Sequence, residues 1–500
     1  MWFFRRMMRS ELSRDFLRQS GCLCLAILLA FSSQGEANAA ELWKIDNLPK
    51  ALLGEIEISK EVDSYNAANS LVHILENAGY PLATVHISDD VLIANLGRID
   101  DVSVRGIDEK TAALAESYLR LLLGPAPTIN EVDHITGLIN DIPGLTAGLQ
   151  FDRLSENGSY AAVLTGSQIT QSGSLSFYNT PTTDVSGREA VLHQEFYSVA
   201  RGGDILRFEL AGSDQESDSA SLFGQVSYQA PVSDNGTFAD VRLSHFDAGS
   251  DFNFRSQNDG DTTSSAVALM FGHQFKRSVG VAQTGYVELD YRVDEDNQTG
   301  QRENGVARVS WFQKNETDLG STFSYGLTVS GGRSFAGDNE TFGSLRGGLG
   351  FITWLPAVSD HTEMLIELSG QLGSKDQPSF ELFSFGGQNK QRGFAPFEYA
   401  GSSGLNLTVE GGQTYHPENG TISGITPYVF LDGSYMANQS GEASSGRPDN
   451  VRLTSTGLGA RVSFANGFSL NSWLAAPVFD SENSDRSVGP VFYMQAQVSW

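Results

Sequence analysis

Side chains that could carry out catalysis or bind a metal ion are few and scattered in this chain of 500 residues. Its eight histidines are scattered and form no convincing metal-binding set with acidic neighbours, and no H-E-x-x-H, G-x-S-x-G or phosphate-loop sequence occurs. Two acidic runs, Asp214–Asp218 and Asp480–Asp485, carry carboxylates that could bind calcium or bridge to lipopolysaccharide through divalent ions, although solvated loops are the simpler interpretation. We predict a protein that is not an enzyme and that holds no cofactor or metal ion.

A second group of chemically distinctive residues lies in the segment 383–399, which reads FSFGGQNKQRGFAPFEY. At its centre, Gln391, Arg392, Gly393 and Phe394 follow a pair of glycines. Arginine presents a planar fork of hydrogen-bond donors, and glycine lets a backbone turn tightly. The task of these residues depends on the elements that position them.

The last nine residues, Phe492 to Trp500, indicate what those elements are. Counting back by two from Trp500 gives apolar residues, and the positions between them are mostly polar. A strand with one apolar and one polar face suits a wall between lipid and a water-filled lumen. Its aromatic end resembles the signal by which outer-membrane barrels are recognised for insertion, which predicts that role for Phe492 and Trp500. An ordinary half-buried terminal strand is the alternative.

Similar alternation recurs in sixteen segments of about ten residues, joined alternately by short turns and long polar loops. A closed barrel would remove the edges that so many amphipathic strands expose. We predict a mainly β fold whose residues 166–500 form a 16-stranded antiparallel transmembrane β-barrel; a secreted soluble β-protein is the alternative. The segments are 172–179, 188–199, 204–212, 220–229, 236–246, 263–275, 281–293, 303–313, 321–331, 343–355, 361–372, 402–413, 425–436, 452–464, 466–478 and 488–500.

Residues 1–39 have the pattern of a secretory signal peptide. Five arginines precede the apolar run 21–32, and Ala37-Asn38-Ala39 supplies a cleavage site. Both cysteines, Cys22 and Cys24, lie in this leader, so the mature chain is expected to have no disulfide. The leader carries a net charge of +2, so the charge of −27 for the whole chain becomes about −29 after cleavage. That charge argues against a nucleic-acid partner.

Residues 40–165 mix helical and strand patterns. Apolar residues at helical spacing, with capping and stop residues, predict helices over 64–78, 108–123 and 130–141. Strand-like stretches flank these helices, and the order β-α-α-β-β suits a small α+β module. The predicted strands are 82–87, 99–105, 146–153 and 160–165.

The glycine pair, the Gln391–Phe394 sequence and the later sequence Phe430-Leu431-Asp432-Gly433 together resemble a superfamily of barrels that secrete or insert proteins across the outer membrane. In that superfamily a long extracellular loop folds into the lumen, and its tip arginine meets an aspartate of the wall. The resemblance implies that Arg392 is the tip arginine, that Asp432 is its partner beside Phe430, and that Phe394 wedges against the wall. The family pattern has a further small residue between the aspartate and its glycine, so this chain departs from that pattern at Gly433.

The amino-terminal part resembles the POTRA domains of the same superfamily, in Asn77–Val85, Gly97–Gly106 and Leu138–Leu145. Two such domains before sixteen strands match the two-partner secretion transporters (TpsB; the haemolysin-activator or filamentous-haemagglutinin exporter family). The resemblance implies a short segment at 40–59, a truncated first POTRA-like domain at 60–97 and a second at 98–165. The plug helix common in the family is expected to be missing or reduced.

This family implies a chain in the outer membrane, with its POTRA-like part in the periplasm. It would capture an unfolded secreted partner, a TpsA-like passenger protein, on an exposed sheet edge and pass it through the barrel. The barrel assembly machinery would insert the chain among lipid and lipopolysaccharide. An insertase of the same superfamily is the alternative function, and a passive porin is less favoured.

Overall fold

A computed structural model of the chain shows two small α+β modules followed by a closed barrel. The predicted leader and parts of both acidic runs lie outside the described residues. No helix among the described residues is long and apolar enough to cross a membrane. The structure describes residues 42–181, 186–215, 220–248, 262–296, 300–317, 320–335, 340–359, 361–375, 377–388, 390–394, 399–418, 420–437, 450–481 and 490–500.

The first module packs helix α1 (Ser64–Asn77) against a three-stranded sheet. The carboxylate of Asp63 caps the helix by accepting from the backbone N–H of Asn66 at 3.0 Å. One face of the helix, with Leu71 and Leu75, is fully buried against the sheet. The strands are β1 (Lys44–Asp46), β2 (Thr84–Ser88) and β3 (Val91–Asn95), in the sheet order β1-β3-β2.

The boundary predicted at residue 60 differs from this structure. Strand β1 pairs in parallel with β3, and the side chains of Trp43 and Ile45 pack on the same core as α1. Residues 42–59 are therefore part of the first module. The pattern was missed because a three-residue strand is too short to show alternation.

The second module follows the predicted order β-α-α-β-β, except that a two-residue strand, Gly124–Pro125, lies between its two helices. The hydroxyl of Thr128 and the carboxylate of Glu131 form a capping box at the third helix. Strands β4 and β7 pair in parallel at the centre of the sheet. The elements are β4 (Arg98–Arg105), α2 (Glu109–Leu119), β5 (Gly124–Pro125), α3 (Ile129–Asn140), β6 (Leu145–Arg153) and β7 (Ser159–Gln168), with the sheet order β5-β4-β7-β6.

Sixteen antiparallel strands then close into the barrel, which confirms the predicted fold class. Each predicted segment overlaps one strand, and the cylinder closes where β25 pairs with β8. The strands are β8 (Gln171–Pro181), β9 (Ser186–Tyr197), β10 (Ile205–Gln215), β11 (Ser221–Pro231), β12 (Thr237–Ala248), β13 (Thr262–Ser278), β14 (Val281–Asp296), β15 (Gly300–Glu316), β16 (Thr322–Ser334), β17 (Thr341–Trp354), β18 (Thr362–Gly373), β21 (Ser403–Gln413), β22 (Ile422–Ala437), β23 (Asn450–Phe464), β24 (Phe468–Asp480) and β25 (Val491–Ser499). Between β18 and β21 the chain forms a short hairpin that is not part of the barrel wall, with the strands β19 (Phe383–Phe385) and β20 (Tyr399–Gly401).

The outer face of the wall is apolar, as the alternation in the last strand predicted. In β25, Phe492, Met494 and Val498 are exposed on the outside, whereas Tyr493 between them is fully buried. Neighbouring strands repeat the pattern: Val429 and Leu431 of β22 face outward, and Phe430 and Asp432 are buried on the inner side. The period of two therefore sorts apolar residues toward lipid and polar residues toward the lumen.

The two ends of the barrel differ in their connections. The second module contacts the end with short turns: Lys110 donates to the carbonyl of Val199 at 3.0 Å, and Asp141 binds Arg277 at the end of β13. The longer connections lie at the opposite end. The connection between β18 and β21, residues 374–402, carries the sequence that resembles the lumen loop.

Candidate functional site

The connection 374–402, named the lumen loop below, folds back against the inner wall of the barrel. Its hairpin, β19 with β20, places Phe383, Phe385 and Tyr399 in one apolar cluster. Phe394 of the same loop joins this cluster and is buried. The cluster is completed by inward-facing residues of the wall, namely Met436, Val451 and Leu453. The loop is thus held inside the barrel partly by burial of aromatic side chains.

A tight turn forms the tip of the loop. Gln391 has a φ of 60° and Gly393 has a φ of +112°, a backbone conformation that side chains rarely adopt. A Cβ on Gly393 would lie 3.2 Å from atoms of Ser455, Ala476 and Pro477 in the wall. Gly393 therefore suits the turn through its positive φ, and a side chain there would force a small shift where the loop backbone approaches β23 and β24.

Arg392 meets Asp432 through three hydrogen bonds. Its Nε and Nη2 donate to the two carboxylate oxygens at 3.0 and 2.9 Å, and its backbone N–H donates to Oδ2 at 3.1 Å. The side chains are 10% and 1% exposed. This forked arrangement fixes the orientation of the guanidinium as well as its position.

A second carboxylate, on Glu410 of β21, also binds the tip arginine. Arg392 Nη1 donates to Glu410 Oε2 at 2.7 Å, and the other oxygen of Glu410 accepts from Arg461 Nη2 at 2.5 Å. Two cations and two anions therefore alternate along one line inside the barrel and balance their charge. Burial acts to lower the pKa of Arg392, but hydrogen bonds and charges from Asp432 and Glu410 outweigh it and raise that pKa.

Sequence analysis did not identify Glu410 or Arg461 as part of this site. The available signal was the alternation of inward and outward positions along the strand, because Glu410 stands at an inward position of the segment 402–413. Aromatic rings support both cations: the Arg392 guanidinium carbon lies 3.5 Å from the ring centroid of Phe430, and that of Arg461 lies 4.1 Å from the ring centroid of Tyr428. Phe430 is therefore a stacking platform for the tip.

The remaining tip residues fasten the turn to the wall. The backbone carbonyl of Phe394 accepts from the Tyr493 hydroxyl at 3.1 Å. With its amide oxygen turned toward β22, Gln391 accepts from the backbone N–H groups of Gly433 at 2.9 Å and Ser434 at 2.7 Å. Gly433 itself faces open space on the outer side. The shortened spacing after Asp432 therefore does not displace its carboxylate from the lumen.

The structure brings six predicted site residues together: Gln391, Arg392, Gly393 and Phe394 of the loop, with Phe430 and Asp432 of the wall. The two residues of the predicted insertion signal lie elsewhere, exposed on the outer face. Trp500 pairs with Gly173 of β8 through its backbone, and its indole N–H donates to Gln194 at 3.1 Å. These contacts place Trp500 at the closing seam, while its role in insertion stays a prediction.

Within the described part of the chain, no group of three or more His, Cys, Asp or Glu side chains is arranged to hold a metal ion. The acidic runs are described only up to Gln215 in the first case and from Asp480 to Ser481 in the second. Calcium binding by these runs therefore stays an open prediction.

Comparison with known proteins supports the fold. CdiB from Escherichia coli shares 14% sequence identity over 99% of this chain and 98% of its own, with a TM-score of 0.73. CdiB from Acinetobacter baumannii shares 13% identity over 98% of both chains, with a TM-score of 0.71. The chain has the CdiB fold. No family model and no curated protein matches its sequence.

BamA from Haemophilus ducreyi, solved without its POTRA domains 1–3, is also similar, with 13% identity over 93% of this chain, all of the BamA chain and a TM-score of 0.53. The predicted resemblance to a POTRA-plus-barrel protein of the TpsB type is thereby confirmed for the fold. A closed sixteen-stranded cylinder with an apolar outer face lies in the outer membrane.

Proposed function

We propose that the chain moves an unfolded secreted protein of the TpsA type across the outer membrane through its barrel. The observation that carries this proposal is the lumen loop, whose tip is fixed inside the barrel by Arg392, Asp432 and Glu410. A loop held by discrete polar contacts can exchange them for a second position. Displacement of the loop would open a path, and folding of the passenger outside would prevent its return.

Capture of the passenger is assigned to the first module. Strand β2 lies at one edge of its sheet, where β3 is its one partner among the described strands, in the order β1-β3-β2. Ile87 of this strand is exposed. An extended polypeptide can add to such an edge through main-chain hydrogen bonds with little dependence on its sequence, which suits a passenger that arrives unfolded in the periplasm.

The test is co-expression with the secreted product of the adjacent reading frame, followed by assay of the medium. We expect secretion with the natural chain and a clear reduction with Arg392→Ala or Asp432→Ala, while the barrel still inserts and shifts its electrophoretic mobility on heating. Arg302→Ala is the matched control, because Arg302 is an exposed arginine of β15, outside the loop contacts described above. Normal secretion by both loop-site variants would remove the basis for this function.

An insertase that assembles other barrels is the second candidate, because the BamA fold is also similar. It predicts a different defect: loss of the chain would lower the amounts of unrelated outer-membrane proteins and leave the medium unchanged. A passive porin fits less well, since the lumen loop occupies the inner wall. In all these cases the barrel assembly machinery would insert the chain beside lipid and lipopolysaccharide.

A further inference from the structure

The lumen loop makes a second charged contact with the wall, before its hairpin. Glu381 ends a short 3-10 helix, Ser379–Glu381, and is 1% exposed. Its carboxylate accepts from Arg308 Nη2 of β15 at 2.5 Å and from Arg346 Nη2 of β17 at 2.7 Å. Each oxygen thus meets a different guanidinium, and the two guanidiniums come from different strands.

The backbone at Glu381 is held as well. Its carbonyl accepts from Arg346 Nη2 and from Gln371 Nε2, both at 2.8 Å. The preceding Phe380 packs edge-on against Phe342 of β17, with the ring centroids 6.4 Å apart. The same turn of the loop is therefore held by the Glu381 carboxylate, by the Glu381 carbonyl and by the Phe380 ring. A chance ion pair would involve the carboxylate alone.

This contact has the opposite polarity to the one at the tip. At the tip a loop cation meets wall anions on β21 and β22, whereas at Glu381 a loop anion meets wall cations on β15 and β17. The wall cations also have partners of their own: Arg308 donates to Glu288 at 2.6 Å and to Asp290 at 3.0 Å, and Arg346 donates to the Gln371 side chain at 2.6 Å. Loss of Glu381 would therefore leave each guanidinium with a hydrogen-bond acceptor.

We propose that Glu381 is a second positioning residue, which anchors the first limb of the lumen loop independently of Arg392. The loop is then fixed at two places with opposite charge, and full displacement requires release of both. This inference rests on the loop contacts and deepens the proposed gating. The test measures how readily wall residues next to each anchor are chemically labelled. Because this readout does not depend on secretion, a failure of this inference can be distinguished from a failure of the secretion proposal.

The probes are single cysteines introduced into a chain produced from residue 40 onward, which therefore lacks Cys22 and Cys24. Ser330 of β16 pairs directly with Arg308 in the ladder and is 4% exposed. Ser455 of β23 pairs with Asp432 and is 0% exposed. Ser330→Cys therefore reports on the Glu381 anchor and Ser455→Cys on the tip anchor, through the rate of labelling by a charged, membrane-impermeant maleimide.

With Glu381→Gln we expect labelling of Ser330→Cys to rise about tenfold, with less than a twofold change at Ser455→Cys. Arg392→Ala should give the reverse, and the double variant should expose both probes. Asp290→Asn is the matched control, because it removes a carboxylate from the same Arg308 without touching the loop, and it should leave both probes protected.

Three outcomes would overturn the proposal: no change at Ser330→Cys in Glu381→Gln, equal exposure of both probes, or exposure of Ser330→Cys by Asp290→Asn. If Glu381→Gln fails to insert, Glu381→Asp gives the same decision. It keeps the charge but shortens its reach by one methylene, so it should raise labelling at Ser330→Cys several-fold. Unchanged labelling in that inserted variant would also reject the anchor.

Discussion

Two arginine–aspartate contacts hold the lumen loop and the second module to the barrel wall, and they differ mainly in burial. At the lumen end, Arg392 and Asp432 are 10% and 1% exposed. At the periplasmic end, Arg277 of β13 binds Asp141 of the second module through two hydrogen bonds of 2.6 and 2.7 Å, yet these side chains are 29% and 25% exposed. The hydrogen-bond geometry is nearly the same, whereas the dielectric surroundings are not.

This difference in burial predicts different energetic costs for breaking the two contacts. Removing one partner of a buried pair typically costs about 3–5 kcal/mol because a charge is left without compensation. An accessible pair contributes roughly 0–1 kcal/mol. We therefore expect release of the loop tip to cost more free energy than release of the module contact, which also includes the hydrogen bond from Lys110 to Val199.

The largest expected effect comes from deleting both modules, residues 42–165. We expect secretion of the passenger to fall to background while the barrel still forms, because its sixteen strands close through β25 and β8 alone. The measurement is the passenger in the medium together with heat-dependent electrophoretic mobility of the barrel. A deletion of residues 42–97 alone is the control for the first module. Secretion by the barrel without modules would contradict capture at the periplasmic end.

The next effect concerns the buried contact. Arg392→Ala should raise the single-channel conductance or open fraction in planar bilayers by at least about tenfold, because Asp432 loses its guanidinium and the tip loses its anchor. Arg392→Lys should fall between this variant and the natural chain, since an ammonium cannot reproduce the fork. Arg277→Ala should leave the conductance unchanged. Equal conductance in Arg392→Ala and Arg277→Ala would mean that burial does not distinguish the two contacts.

The contact between Arg392 and Asp432 could be predicted from the sequence, whereas the contact between Arg277 and Asp141 could not. Arg392 and Asp432 could be paired only through resemblance to a superfamily, because forty residues separate them. Period-two alternation predicted the strands, since one face meets lipid and the other faces the lumen. Glu381 and the hairpin β19–β20 gave no such signal, because an irregular loop has no period to read.

The contact between Arg277 and Asp141 was also beyond the sequence, for a different reason. It joins the second module to the barrel. The helical spacing of apolar residues in the module and the period of two in the barrel strands do not predict how the end of α3 packs against a barrel turn. The close fit seen at Gly137, where an added Cβ would lie 2.4 Å from the Arg277 side chain, appears only in three dimensions. Contacts between domains therefore need the structure even when each domain is predictable.

A smaller effect is expected at the half-buried contact between Arg277 and Asp141. Arg277→Ala and Asp141→Ala should each change the undocked population of the second module by about twofold to fivefold, and a double-mutant cycle should give a coupling of about 0.2–1 kcal/mol. Spin labels on Arg120→Cys and Asn235→Cys would report docking as a distance distribution, since both positions are exposed. A coupling of several kcal/mol would show that this contact behaves like the buried one.

The smallest effect is a pH dependence of the same contact through His134 of α3. Its Nδ1 accepts from the backbone N–H of Arg277 at 3.0 Å. Burial lowers the pKa of His134 below 6.5, and the neighbouring His273 acts in the same direction. A lowered pKa means that the docked state binds fewer protons than the undocked state, so docking is strongest above pH 6.5 and weakens as the pH falls below that value.

The weakening should stop once His134 is protonated in the docked state. Docking of the spin-labelled chain between pH 7.5 and 5 should therefore decline below pH 6.5 by a small, saturating amount. His134→Asn keeps an acceptor near Nδ1 but does not titrate, so it should flatten the decline, whereas Asp141 and His273 remain in both chains. An identical decline in His134→Asn would show that His134 is not its source, and the hydrogen bond from Arg277 would then play no part in the pH response of docking.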